Sequence, residues 1–77
     1  MPQNIKADQS LGGNIRRYRN AQGLTQEQLS AQLQLAGCDI SRGTLAKIEA
    51  GIRHISVQEL DAIKTALHVS YDAIFKG

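Results

Sequence analysis

An all-α domain of five short helices is the fold class this sequence predicts, and three observations lead to it. Apolar residues recur three or four positions apart through most of the chain, the spacing of one buried helix face. The single Pro stands at position 2, so every later residue is free to be helical. Three aromatic residues, one Met and no Trp leave the core to Leu, Ile and Ala, which favour helices over a sheet sandwich. With 77 residues the chain makes one domain at most. A hydrophobic fraction of 42% against 21% charged residues is the composition of a chain that folds.

The elements follow in order. Residues 1–9 lack periodicity and read as a flexible N-terminal arm ahead of a domain over 10–77. Leu11, Ile15 and Tyr18 define helix 1, and Gly23 ends it; Gly12 and Gly13 read as loosening its N-terminus. Thr25-Gln26-Glu27-Gln28 is a capping box, with the Thr hydroxyl and the Gln28 amide group each serving the other's backbone N–H. Helix 2 follows, carrying Leu29, Leu33 and Ala36 on one face, with Gly37 as its stop. Ser41 opens a short helix 3 whose buried stripe is Leu45 and Ile48, ending at Gly51. Ser56-Val57-Gln58-Glu59 is a second capping box, starting a helix with Leu60, Ile63 and Leu67 inward. Ser70 caps a last short helix holding Ile74 and Phe75. No strand of useful length, repeat or low-complexity tract is expected.

Several kinds of chemistry find no residues. The longest apolar run is Ala73-Ile74-Phe75, so neither a membrane span nor a secretory signal is expected. Cys38 has no partner thiol, which suits a reducing cytoplasm. His54, His68 and Cys38 lack metal-ligand spacing, and Leu11-Gly12-Gly13-Asn14 lacks both the lysine and the preceding strand of a phosphate loop. No metal, cofactor, small-molecule ligand or enzymatic activity is expected. Charge is more informative by position than in total. Up to Arg53 the chain has seven Lys/Arg (6, 16, 17, 19, 42, 47, 53) against four acids (8, 27, 39, 49); from His54 on it has two against three. That asymmetry reads either as a face for an anion or as solvated surface charge.

Two short helices joined by a brief connection, the second with a basic polar outer face, form the helix-turn-helix arrangement that presents side chains to the major groove. Ile15-Arg16-Arg17-Tyr18-Arg19, Gly23-Leu24-Thr25-Gln26-Glu27-Gln28-Leu29 and Ser41-Arg42-Gly43-Thr44-Leu45-Ala46-Lys47-Ile48-Glu49-Ala50-Gly51 together closely resemble the Cro/C1-type (XRE) helix-turn-helix family of phage and bacterial repressors. The resemblance spans about residues 10–75. It implies a five-helix, lambda-repressor-like DNA-binding domain, cytoplasmic and bacterial or phage-encoded. Double-stranded DNA is the implied partner and helix 3 the recognition helix.

Carried over position by position, the resemblance makes Gln26 a phosphate contact, beside a helix N-terminus that suits phosphate on physical grounds too. The alternative for Gln26 is a plain first-turn residue. Ser41, Arg42, Gly43, Thr44 and Lys47 match the outward positions of the recognition helix. Arg42 is the base reader, because a guanidinium donates twice to guanine O6 and N7. Lys47 is expected at a base or a phosphate, or in solvent. Arg19 and Glu49 match a pair that bridges helix 1 to the end of helix 3, and Arg53 falls in a loop used for backbone contacts. Two departures stand out. The connection from Gln34 to Ile40 is longer than the tight turn of the best-known repressors, which predicts an extended helix 2 with Ile40 packed beneath the turn. Gly43 replaces a polar side chain often used for base reading. The functional expectation is a sequence-specific DNA-binding regulator, a repressor, homodimeric on a two-fold operator. The competing class is an antitoxin-like or adaptor interaction module. Tyr71, Ile74 and Phe75 are the candidate dimer surface or, on the reading preferred here, the closure of the core.

Overall fold

Hydroxyl caps set where four of the helices begin. The computed structural model describes residues 4–5 and 9–77. Its elements are β1 (Asn4–Ile5), α1 (Gln9–Ala21), α2 (Gln26–Leu35), α3 (Arg42–Glu49), β2 (Ile55–Ser56), α4 (Val57–Leu67) and α5 (Tyr71–Lys76). Thr25, Ser41, Ser56 and Ser70 each accept a hydrogen bond from the backbone N–H three residues on, at 3.0–3.2 Å. Both capping boxes close, with Gln28 and Glu59 accepting in return from the N–H of Thr25 and Ser56.

The helices bury one aliphatic stripe each. Leu11 and Ile15 of α1, Leu29 and Leu33 of α2, Leu45 and Ile48 of α3, Leu60, Ile63 and Leu67 of α4, and Ile74 of α5 meet in one core with Ile40 and Ile55. Among the described residues its buried hydrophobic members are all Leu or Ile. Helix α1 packs on α3 and α5, and α2 packs on α3 and α4, so α3 is braced from two sides. Side chains of α1 and of the turn that follows it also reach the carbonyl ends of the last two helices. Asn14 donates to the Ile74 carbonyl at 2.9 Å, and Gln22 donates to that of Leu67.

The connection between α2 and α3 is built by three contacts. Gly37, at φ +86°, takes the left-handed turn that a side chain would strain, and the Cys38 N–H folds back onto the Leu33 carbonyl at 2.8 Å. Ile40 is fully buried, as its predicted place beneath the turn requires. The buried Ser30 hydroxyl donates to the Ile40 carbonyl at 2.6 Å, fastening the turn to α2. Helix α2 runs to Leu35 with Ala36 as its C-cap.

Four expectations change. Ala36, predicted on the buried face, is exposed because the helix ends before it. Gly12 does not loosen α1: a Cβ there would lie 2.4 Å from the carbonyl oxygens of Ile48 and Glu49, so its bare Cα is what lets α1 cross the end of α3 this closely. Of Tyr71, Ile74 and Phe75, only Ile74 closes the core; Tyr71 and Phe75 are 40% and 46% exposed, because a six-residue helix turns a single residue fully inward. A strand was not expected, yet Asn4 pairs with Ser56 and Ile5 with Ile55 in an antiparallel two-stranded ladder. Lys6 and Asp8, counted in the charge balance of the chain up to Arg53, lie outside the described residues.

Candidate nucleic-acid interface

The interface is assembled from α3 outward. Leu45, Ile48 and Glu49 point into the protein, Thr44 and Ala46 are half-buried, and Arg42, Gly43 and Lys47 are exposed on the outer side. Ser41, the N-cap, also donates its hydroxyl to Thr44 Oγ1 at 3.0 Å, so these two hydroxyls are engaged with each other at the helix start. Gly43 faces open space.

Helix α3 is held by a buried ion pair. Arg19 Nε lies 2.8 Å from Glu49 Oε2 and Nη2 lies 2.9 Å from Oε1, a two-pronged contact between α1 and the last residue of α3. The side chains are only 9% and 3% exposed. Arg19 Nη1 donates to the Leu24 carbonyl at 2.7 Å, which also ties the α1–α2 turn to the pair. Gln26 Nε2 donates to Glu49 Oε1 at 3.1 Å. One carboxylate thus gathers α1, the first turn of α2 and the end of α3. Because an amide nitrogen carries two hydrogens, Gln26 keeps a second donor beside the N-terminus of α2.

Around this anchor lie two shallow clefts. Arg19, Thr25, Gln26, Glu27 and Arg42 line the first. Arg16, Arg19, Gln26, Ala46, Glu49 and Ala50 line the second. Among the expected site residues, Gln26, Arg42, Arg19 and Glu49 are thereby brought together. Lys47 stands in solvent on the same helix, without a hydrogen-bond or ion-pair partner among the described residues. Arg53 is elsewhere engaged: its guanidinium meets both oxygens of Glu59 at 3.1 Å and donates to the His54 carbonyl at 2.8 Å. Burial alone would raise the Glu59 pKa, but hydrogen bonds from Arg53 and Ser56 together with the Arg53 charge outweigh it and hold the carboxyl below its ordinary value. Arg16 was not assigned to the site by the sequence, although it stands three residues before Arg19 and therefore shares its side of α1.

No helix among the described residues is long and apolar enough to cross a membrane. No curated protein and no solved structure gives a significant match to the chain. A family model described as helix-turn-helix matches residues 15–74, from within α1 to the buried Ile74 of α5. What is shared is therefore the five-helix arrangement that carries α3, and the chain belongs to the Cro/C1-type (XRE) helix-turn-helix family of DNA-binding regulators.

Proposed function

We propose that this protein is a sequence-specific regulator that inserts the N-terminal half of α3 into the major groove, as a homodimer on a two-fold operator, and acts as a repressor. The observation that carries the reading is the contrast between the two sides of α3. Its inner side is locked by Arg19 and Glu49, while Arg42 and Lys47 are exposed with no partner among the described residues. A cation held on a rigid element and left unpaired is free to bond a ligand without first breaking a protein contact. Arg42, in the first turn, is the reader of a guanine edge, and Lys47, more than a turn further on, reaches a base or a phosphate. Ser41, Gly43 and Thr44 border the groove, and the smooth backbone at Gly43 permits close approach. Gln26 supplies its second amide hydrogen to a phosphate. Arg53 borders the loop after α3 and sets it through Glu59.

Repression is the action that occupancy alone supplies, since a filled operator excludes other proteins from it. Two copies are proposed because one module reads few base pairs, and paired half-sites are the usual route to specific affinity. The competing reading, an adaptor for another protein, is favoured by Leu35 and Ile52, which are 90% and 73% exposed. Selection of duplexes from a random pool, followed by band shifts with and without heparin, separates the two. Binding to a selected duplex with preference over a scrambled one is expected. Arg42→Ala should cost about 1–3 kcal/mol on the selected duplex, relax one base pair per half-site, and barely change binding to the scrambled one. No binding even at low salt would leave the adaptor reading in its place.

A further inference from the structure

The cations of this protein sort into two groups. Five of the described ones have partners within the fold. Arg19 is held by Glu49, Arg53 by Glu59, and Lys76 lies 3.4 Å from Asp72. Arg17 donates to the Gly77 carbonyl and lies over the Tyr18 ring, and Lys64 stands 4.8 Å from the centre of the Tyr71 ring. Among the described residues the remaining three, Arg16, Arg42 and Lys47, have no partner at all. Two belong to α3. The third, Arg16, comes from α1, yet it lines the same cleft as Gln26, the half-buried Ala46 of α3 and Ala50, the exposed residue that caps its end. Among the described residues the one carboxylate lining that cleft, Glu49, is already neutralised by Arg19.

We infer that Arg16 is a phosphate anchor on α1, and that it, rather than Arg53, supplies the backbone contact beside the recognition helix. The inference rests on DNA being the ligand of the α3 face. An exposed guanidinium next to a positively disposed helix face gains nothing from the protein itself, whereas a phosphate crossing the cleft would meet Arg16 on one side and the free Gln26 hydrogen on another. A contact of this kind positions the duplex without reading it. Arg53, by comparison, would have to leave two carboxylate bonds and a carbonyl bond to reach a phosphate.

The experiment measures affinity by fluorescence anisotropy at several salt concentrations, on a selected and a scrambled duplex, for the full chain and for Arg16→Ala, Arg16→Lys, Arg42→Ala and Arg53→Ala. Arg16→Ala should weaken both duplexes by the same factor, about eight-fold at 0.1 M salt, and flatten log affinity against log salt by about 0.9. Arg16→Lys should restore the slope, because a point charge suffices for phosphate, and Arg53→Ala should leave it unchanged. Replacing single phosphates by uncharged methylphosphonates then locates the contact: one position should weaken the wild type and have no effect on Arg16→Ala. If Arg42→Ala loses sequence preference while Arg16→Ala keeps the wild-type slope, Arg16 is not an anchor and the regulator reading stands. If no methylphosphonate position becomes silent in Arg16→Ala, the direct contact is likewise overturned. A wild type that binds neither duplex overturns the regulator reading and this inference with it.

Discussion

Glu49 shows how much one side chain can be asked to hold. Its carboxylate is 3% exposed, and its oxygens take two bonds from Arg19 and one from Gln26. A buried charge left without its partner is costly, on the order of 3 kcal/mol for a well-shielded pair. Glu49→Gln strands the Arg19 guanidinium in that position. A clear fall in melting temperature is therefore expected, together with weaker binding to both duplexes, since α3 and Gln26 lose a common anchor. Thermal melts and anisotropy on the same preparations check it; an unchanged melting temperature with unchanged affinity is the result that contradicts it. Cys38 offers a contrast in the same region. Its thiol is half-buried in the α2–α3 connection, and burial, with Glu59 and Asp39 nearby, pushes it above its ordinary pKa against the pull of Arg53. That makes it a poor nucleophile at neutral pH.

The start of α4 is an element whose stability should depend on pH in a defined direction. Glu59 completes the capping box at Ser56 and also holds Arg53, and these bonds keep its carboxyl below the ordinary value of 4.5 in the folded protein. A lowered folded pKa means that the unfolded chain takes up the proton first as pH falls. The charged form thus adds stability that is complete above about pH 4.5 and disappears as pH drops through the folded value. Glu59→Gln keeps an amide able to complete the box but removes the charge. At neutral pH the variant should be less stable by about 0.2–1 kcal/mol, the range for a pair with solvent-exposed side chains. Urea titrations at pH 7 and at pH 3 should show that gap closing at the lower pH. A gap of equal size at both would assign the role of Glu59 to its shape rather than its charge.

The assembly as a unit bears on how many copies act. Tyr71 and Phe75 stand one turn apart on α5, both partly exposed, and the Tyr71 hydroxyl is already fixed by Asp61 at 2.8 Å. They form a partly exposed apolar strip on the last helix. If two copies meet through this strip on an operator, binding to a duplex with two half-sites should be cooperative in protein concentration. Phe75→Ser should then abolish the cooperativity while leaving affinity for a single half-site intact. Band shifts on one-site and two-site duplexes read both quantities, and equal behaviour of variant and wild type on the two-site duplex would place the contact elsewhere.

Much of the fold is legible in the sequence because its signals are local. Thr25 with Gln28 and Ser56 with Glu59 act across three residues, and the Leu and Ile stripes recur within a turn. Gly23, Gly37 and Gly51 all sit at positive φ where helices stop, as their composition predicts. The end of α4 has no such mark: His68 takes the left-handed conformation at φ 57°, a role sequence assigns to glycine. What tertiary structure decides are the contacts between distant residues. Gly12 is a close-approach residue only because the end of α3 lies across it. Ser30 becomes a fastener only when Ile40 folds back over α2, and Asn14 meets the Ile74 carbonyl across 60 residues. The ladder from Asn4 to Ser56 is two residues per strand, too short to leave an alternating pattern. The same division runs through the interface. Residue types and the family resemblance single out Arg42, Lys47 and Gln26, but whether a cation is free or engaged depends on which carboxylates the fold brings to it. That is why Arg53 and Arg16, indistinguishable as charges in a sequence, end in opposite situations: one is bound to Glu59, and the other is open to solvent beside α3.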